Sequence, residues 1–115
     1  LSNSVHNVIN KYRIKHDVPP LAFDGKLSSE LKHIINYGDK NCYSLKKIRN
    51  GKEFNCNFNL MNSLETNIVE GYLKKVVKKY KKYILNKNLE NSGVGVDLKG
   101  DKIYIKQILY KKNGN

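Results

Sequence analysis

Between positions 68 and 84 the side chains Ile68, Tyr72, Leu73, Val76, Val77, Tyr80 and Ile84 recur at intervals of three and four residues, while Lys74, Lys75, Lys78, Lys79, Lys81 and Lys82 fill most of the remaining circumference. That spacing stacks the apolar groups on one side of a helix and leaves a back made of lysine. Such a helix is stable only where something covers its apolar stripe, so the rest of the chain has to supply a complementary surface. Asn62, followed three residues later by Glu65, reads as a capping box at its start.

The covering surface is predicted from a change of period. Val94, Val96 and Leu98 alternate, Lys99-Gly100-Asp101 reads as a turn, and Ile103, Ile105 and Gln107 alternate again, which predicts a terminal hairpin. Upstream, Val5, Val8, Ile9 and Tyr12 follow Ser4 at helical spacing, with Ser4 as the expected N-cap and Pro19-Pro20 as the stop. An extended apolar connector, residues 19–23, leads to Asp24. This residue is predicted to cap a second helix with Leu27, Leu31, Ile34 and Ile35 on one face and Gly38 at its end. Residues 39–60 read mostly as loop, with short strands expected over Leu45 to Arg49 and Phe54 to Leu60. Gly93 and Gly95 precede a strand and do not open a helix, so they read as structural glycines and not as a phosphate loop.

Three helices and a hairpin in 115 residues make one domain. A chain of that length buries roughly two-thirds of the surface its unfolded form exposes, enough for one core. The expected fold class is α+β, with helices packed on a small antiparallel sheet.

Charge limits the function classes next. Lys and Arg number 22 against 10 Asp and Glu, a net charge of +12. A field of that sign attracts polyanions and releases their counterions, which makes the lysine back a candidate surface for glycosaminoglycan, acidic lipid or nucleic acid, with Tyr80 and Tyr83 interleaved. Only Arg13 and Arg49 are arginines, whereas phosphate and base-edge recognition favours the planar guanidinium. Abundant Lys and Asn are also what an AT-rich genome encodes, and the outer face of any amphipathic helix must be polar.

No stretch approaches the ~18 consecutive apolar residues of a membrane span. The chain begins Leu1-Ser2-Asn3 without an initiator Met, so the expectation is a trimmed or mature form whose export signal or lipid anchor lay upstream. Cys42 and Cys56 are the only cysteines and lack the His spacing of a zinc finger. In an exported protein the two can pair, closing a loop worth about 3 kcal/mol in the chain-entropy model. In a cytosolic one they are ordinary thiols. Neither cysteine has a histidine nearby in sequence, the acids are dispersed, and there is no nucleophile elbow. His16 and His33 lack the paired helical spacing of strong metal motifs. The chain therefore reads as noncatalytic, with no metal and no cofactor expected.

Residues 8–21 carry Asn10, Tyr12, Arg13, His16, Pro19, Pro20 and Leu21 in a spacing that resembles the opening helix of the CAP superfamily, H-N-x-Y-R-x-x-H-x-x-P-P-L. This superfamily comprises the cysteine-rich secretory, antigen 5 and pathogenesis-related 1 proteins. Ile9 stands where the family usually has His. Leu27 to Ile35 resembles the second family helix, and Cys56-Asn57-Phe58-Asn59-Leu60 falls where members carry C-G-E-N-L. Ile68 to Tyr72 resembles the third helix, with Tyr72 in place of a common Trp, and Ser92-Gly93-Val94-Gly95 opens the closing strands. The likeness spans nearly the whole chain, which is shorter than usual between Tyr72 and Ser92.

The resemblance implies an α-β-α sandwich, export to the cell surface or beyond (for a bacterial member, as an outer-membrane lipoprotein), and use in binding a host or environmental macromolecule. Some members hold a sterol or fatty acid, which makes lipid binding an alternative. Many members also place two His and two Glu in a metal-binding cavity. By position these become Lys46 or Lys47, Phe58, Lys75 and Tyr80. A lysine ammonium has no lone pair to give a metal and phenylalanine has no donor, so the resemblance carries no metal site here. Asn10, Tyr12, Arg13, His16, Pro19 and Pro20 are expected to be structural, tying the first helix to the rest.

Overall fold

The computed structural model describes residues 1–38, 41–44, 51–60 and 64–112. Helix α1 spans Ser2–Lys15, strand β1 Ala22–Phe23, helix α2 Gly25–Leu31 with a 3-10 turn at Lys32–Ile34, and β2 Cys42–Ser44. Strand β3 follows at Gly51–Asn59, helix α3 at Glu65–Ile84, and the hairpin β4 Asn91–Lys99 and β5 Lys102–Tyr110 closes the chain. The five strands form one sheet in the order β1-β4-β5-β3-β2, and the fold is α+β. No helix among the described residues is long and apolar enough to cross a membrane.

The sheet is mixed and not purely antiparallel, a correction to the sequence expectation. Ala22 and Phe23, read as connector, pair in parallel with Asn91 and Ser92 at the start of β4. Two side chains of α1 set up that pairing. Asn10 accepts from the Leu21 N–H at 2.7 Å and donates to the Leu21 carbonyl at 2.9 Å, and Arg13 donates to the Pro19 carbonyl at 2.9 Å. The connector is thereby fixed alongside the sheet edge.

Side chains alternate across a strand, so the ladder register divides the sheet into two faces. Phe54 and Cys56 of β3, Val94 of β4 and Ile103, Ile105 and Leu109 of β5 join Val5 and Ile9 of α1 and Ile68, Tyr72, Val76 and Ile84 of α3 in one buried cluster. This is the face that the period of α3 called for. Inside it Tyr72 donates to the Gln107 carboxamide oxygen at 2.6 Å, and Gln107 donates to Ser92 Oγ at 2.9 Å, so these three side chains satisfy one another within the core. Burial raises the Tyr72 phenol far above its ordinary pKa.

Helix α2 lies on the opposite face. A Cβ at Gly93 would stand 2.6 Å from Leu27, and one at Gly95 2.6 Å from the Leu31 carbonyl carbon, so both glycines exist to let the helix approach the strand. Ser28 Oγ accepts the β4 amide of Val94 at 2.9 Å. The hairpin turns at Gly100, whose φ of +64° suits glycine.

Several boundaries differ from expectation. Helix α1 starts at Ser2 with Leu1 as N-cap. Ser4 sits inside it and its hydroxyl donates to Glu65 Oε1 at 3.0 Å, a contact that no local pattern encodes. Asp24 caps α2 as expected, accepting from the Leu27 N–H at 2.9 Å, but the helix ends at Leu31. Ile34, expected on the packed face of that helix, is left 59% exposed. The N-cap of α3 is Leu64, without a side-chain bond, while Asn62 lies outside the described residues. The strand expected over 45–49 also lies outside them, and β3 begins earlier than predicted, at Gly51.

Candidate functional site

The lysine back of α3 divides into two groups. Lys74, Lys78, Lys81 and Lys82 stand exposed, and Lys79 is exposed as well although its ammonium reaches back. Lys75 and Lys79 turn toward the sheet: the Lys75 ammonium sits 4.4 Å from the centre of the Phe58 ring, and Lys79 donates to the Cys42 carbonyl at 2.9 Å. Tyr80 also turns inward, packing 5.1 Å from Phe54 while its hydroxyl accepts the Ser44 N–H at 2.8 Å. It therefore does not interleave with the surface lysines. Its backbone, at φ −131° and ψ 25°, departs from helical geometry. Tyr83 does reach the surface, with Lys52 4.0 Å over its ring.

Of the positions that the CAP resemblance set against a metal cavity, Phe58 and Lys75 are in contact. Tyr80 points toward β2, and Lys46 and Lys47 lie outside the described residues. Beside Phe58 and Lys75, at the end of the sheet where β3 leaves and β5 enters, a pocket of about 250 Å³ is lined by Asn41, Asn57, Phe58, Asn59, Lys75 and Lys102. Burial, and then the neighbouring charge of Lys79, hold the Lys75 ammonium below the usual lysine pKa. Asn41 reaches the pocket because Cys42 and Cys56, directly opposite in β2 and β3, are joined by a disulfide. Next to the bridge the Asn57 N–H donates to the Asn41 carbonyl at 2.9 Å.

The opening motif forms a framework away from this pocket. Arg13 is 0% exposed and, among the described residues, pairs with no carboxylate. Besides Pro19 it donates to the carbonyls of Ile84 at 2.6 Å, Asn86 at 3.1 Å and Leu89 at 3.2 Å, collecting the end of α3 and the loop behind it. A guanidinium is suited to this because its donors are fixed in one plane. Tyr12 and His16 stack at 4.3 Å, and the His16 ring nitrogen Nδ1 pairs with the Tyr12 carbonyl at 2.9 Å. Pro19 and Pro20 are exposed.

On the α2 side of the sheet lies a polar cluster that the sequence reading missed. Lys106 Nζ lies 2.9 Å from Glu53 Oε2, donates to Asn36 Oδ1 at 2.6 Å and reaches Asn55 Oδ1 at 3.3 Å, with Lys106, Glu53 and Asn55 all buried. The only available signal was that Glu53 and Lys106 occupy interior positions of strands, where an alternating pattern reads as a solvent face. Among the described residues no three His, Cys, Asp or Glu side chains converge on a point where a metal ion could sit.

No protein-family model matches the chain, and no curated protein matches its sequence.

Proposed function

We propose that this chain is a noncatalytic, exported binding module of the CAP type whose ligand is an acidic macromolecule. The observation that carries the reading is the mismatch between charge and pairing. Against a net charge of +12, the one Lys or Arg ion pair among the described residues joins Lys106 to Glu53, and it is buried. Lys74, Lys78, Lys81 and Lys82 lie exposed along α3 outside that pair, with Glu70, one turn before Lys74, as their nearest carboxylate along the helix, so the far end of α3 presents a surface of one sign that draws a polyanion.

The Cys42–Cys56 disulfide supports an extracellular or cell-surface setting, where such bonds persist. The bonding of Asn10 and Arg13 supports the CAP reading, because both side chains of the resembling motif hold backbone and leave no group free for chemistry. Phe58 and Lys75 at the family's metal positions support a binding role without metal.

Retention on heparin tests the proposal. The protein is expected to elute at higher salt than a control of equal net charge, with a steep dependence of affinity on salt from counterion release. The Lys74→Gln, Lys78→Gln, Lys81→Gln and Lys82→Gln combination is expected to remove the difference. Elution no later than the control overturns the reading.

A further inference from the structure

We propose that the pocket between β3, α3 and β5 is a discrete site for one tetrahedral oxyanion, a sulfate or phosphate group. This rests on the reading of the ligand as acidic and adds the chemical group that the protein recognises.

Three observations lead there. The lining residues are two lysines, Lys75 and Lys102, three asparagines and one phenylalanine, with no acidic residue among them. Two lysines in a lining without a carboxylate favour a doubly charged oxygen ligand and reject a metal cation, even though the Asn57 amide already donates to the Gly38 carbonyl at 3.3 Å. Next, Lys75 is held in place. The Phe58 ring lies under its ammonium at 4.4 Å, while burial and Lys79 make its charge costly as long as nothing neutralises it. An anion in the pocket compensates for both. Finally, the walls are built before any ligand arrives. Asn41 is stapled beside Asn57 by the disulfide and by a backbone hydrogen bond of 2.9 Å, and Lys102 faces Asn59 across the β3–β5 ladder.

Size decides what part of a ligand enters. About 250 Å³ holds several waters at about 30 Å³ each. One sulfate or phosphate with bridging waters fits that space, whereas a polymer chain has to stay outside. Lysine is a point charge without the fork of arginine, so sulfate and phosphate share the site and the geometry does not rank them.

Titration of the ¹⁵N-labelled protein with sodium sulfate and, separately, with sodium phosphate at pH 8, each against sodium chloride at equal ionic strength, tests the proposal. Saturable amide shifts at Asn57, Phe58, Asn59 and Lys102 are expected with the dianions and not with chloride. Saturation by both salts assigns the site to the shared chemistry, and saturation by one assigns it to that ester class. Lys75→Gln with Lys102→Gln is expected to weaken the midpoint at least tenfold with an unchanged melting temperature in chloride, while Lys74→Gln with Lys78→Gln leaves it intact. Sulfate also stabilises proteins by exclusion, which gives a linear response without saturation. A linear response, or equal saturation in the Lys75/Lys102 variant, overturns the site. Heparin retention reads the polymer surface separately: its loss with sulfate saturation intact removes the macromolecular reading and keeps the pocket, and the reverse removes the pocket alone.

Discussion

The Arg13 guanidinium donates to the carbonyl oxygen of Ile84 across 2.6 Å, joining the end of α3 to a helix that begins the chain. The same side chain takes the carbonyls of Asn86 and Leu89. One residue therefore supplies partners for backbone oxygens that the end of a helix and an irregular loop would otherwise leave unpaired.

Arg13→Ala strips those carbonyls of their donor inside the fold. Hydrogen bonds to a charged group are worth about 1.5–3 kcal/mol each and are not additive. A loss of about 3 kcal/mol or more is expected, seen as a melting temperature lower by roughly 10 °C on the usual scaling. Arg13→Lys recovers little of it, because an ammonium cannot reach the same oxygens. An unchanged melting curve contradicts the assignment.

The Glu53–Lys106 pair calls for two variants. Lys106→Met leaves a buried carboxylate without its cation and is expected to cost about 3–5 kcal/mol in denaturant unfolding. Glu53→Leu combined with Lys106→Met removes both charges and is expected to regain most of that loss. If the double variant is no more stable than the single one, the surrounding asparagines and not the charge pair govern the cost.

Two glycines are expected to respond in opposite directions. A Cβ at Gly95 meets backbone, 2.6 Å from the Leu31 carbonyl carbon and 2.7 Å from Lys32 N, so Gly95→Ala forces α2 off the sheet and costs about 2 kcal/mol or more. At Gly71 in α3 the nearest atom is Phe58 Cε1 at 3.4 Å, a contact the ring can yield to. Gly71→Ala is expected to stabilise by about 0.5–1 kcal/mol through helix propensity. Parallel urea titrations decide both signs.

Stability near neutral pH is expected to depend on His6. Its Nε2 lies 3.2 Å from Asn10 Nδ2, its buried Nδ1 has no partner, and burial lowers its pKa from the ordinary 6.5. The unfolded chain therefore binds a proton at a pH where the folded one does not, and stability falls as pH drops from about 6.5 toward the lower folded value. His6→Phe keeps an aromatic against Phe23, which the His6 ring meets at 5.1 Å, and removes the titration. The difference in stability between pH 7.5 and pH 5 is expected to shrink in that variant.

How far the fold could be read in advance depended on whether one face or several partners decided a residue's place. The stripe from Ile68 to Ile84, the alternation of Val94 with Val96 and the cap at Asp24 are local geometry, and the structure reproduces them. Ser4 reads as a cap by the same local rules, yet its hydroxyl is taken by Glu65. The parallel pairing of β1 with β4 was not legible, because two residues have no period and Asn10 and Arg13 position them from another element. Within the candidate site, the lysines were legible as a group. Which of them meet Phe58 or the Cys42 carbonyl was not, since that depends on where β2 and β3 lie beside α3.

The sequence by itself determined the three helices, the closing hairpin, the α+β class and the excess of positive charge, because periodicity, capping and composition act over a few residues. Only the tertiary structure decided which polar groups are inside. Glu53 and Lys106 read as surface residues by type, and both are buried because distant segments cover them while supplying or accepting their hydrogen bonds. The convergence of Lys75 and Lys102 on one pocket is settled the same way. A strand's alternation marks two faces, but what lies over each face is chosen by long-range pairing that no local pattern contains.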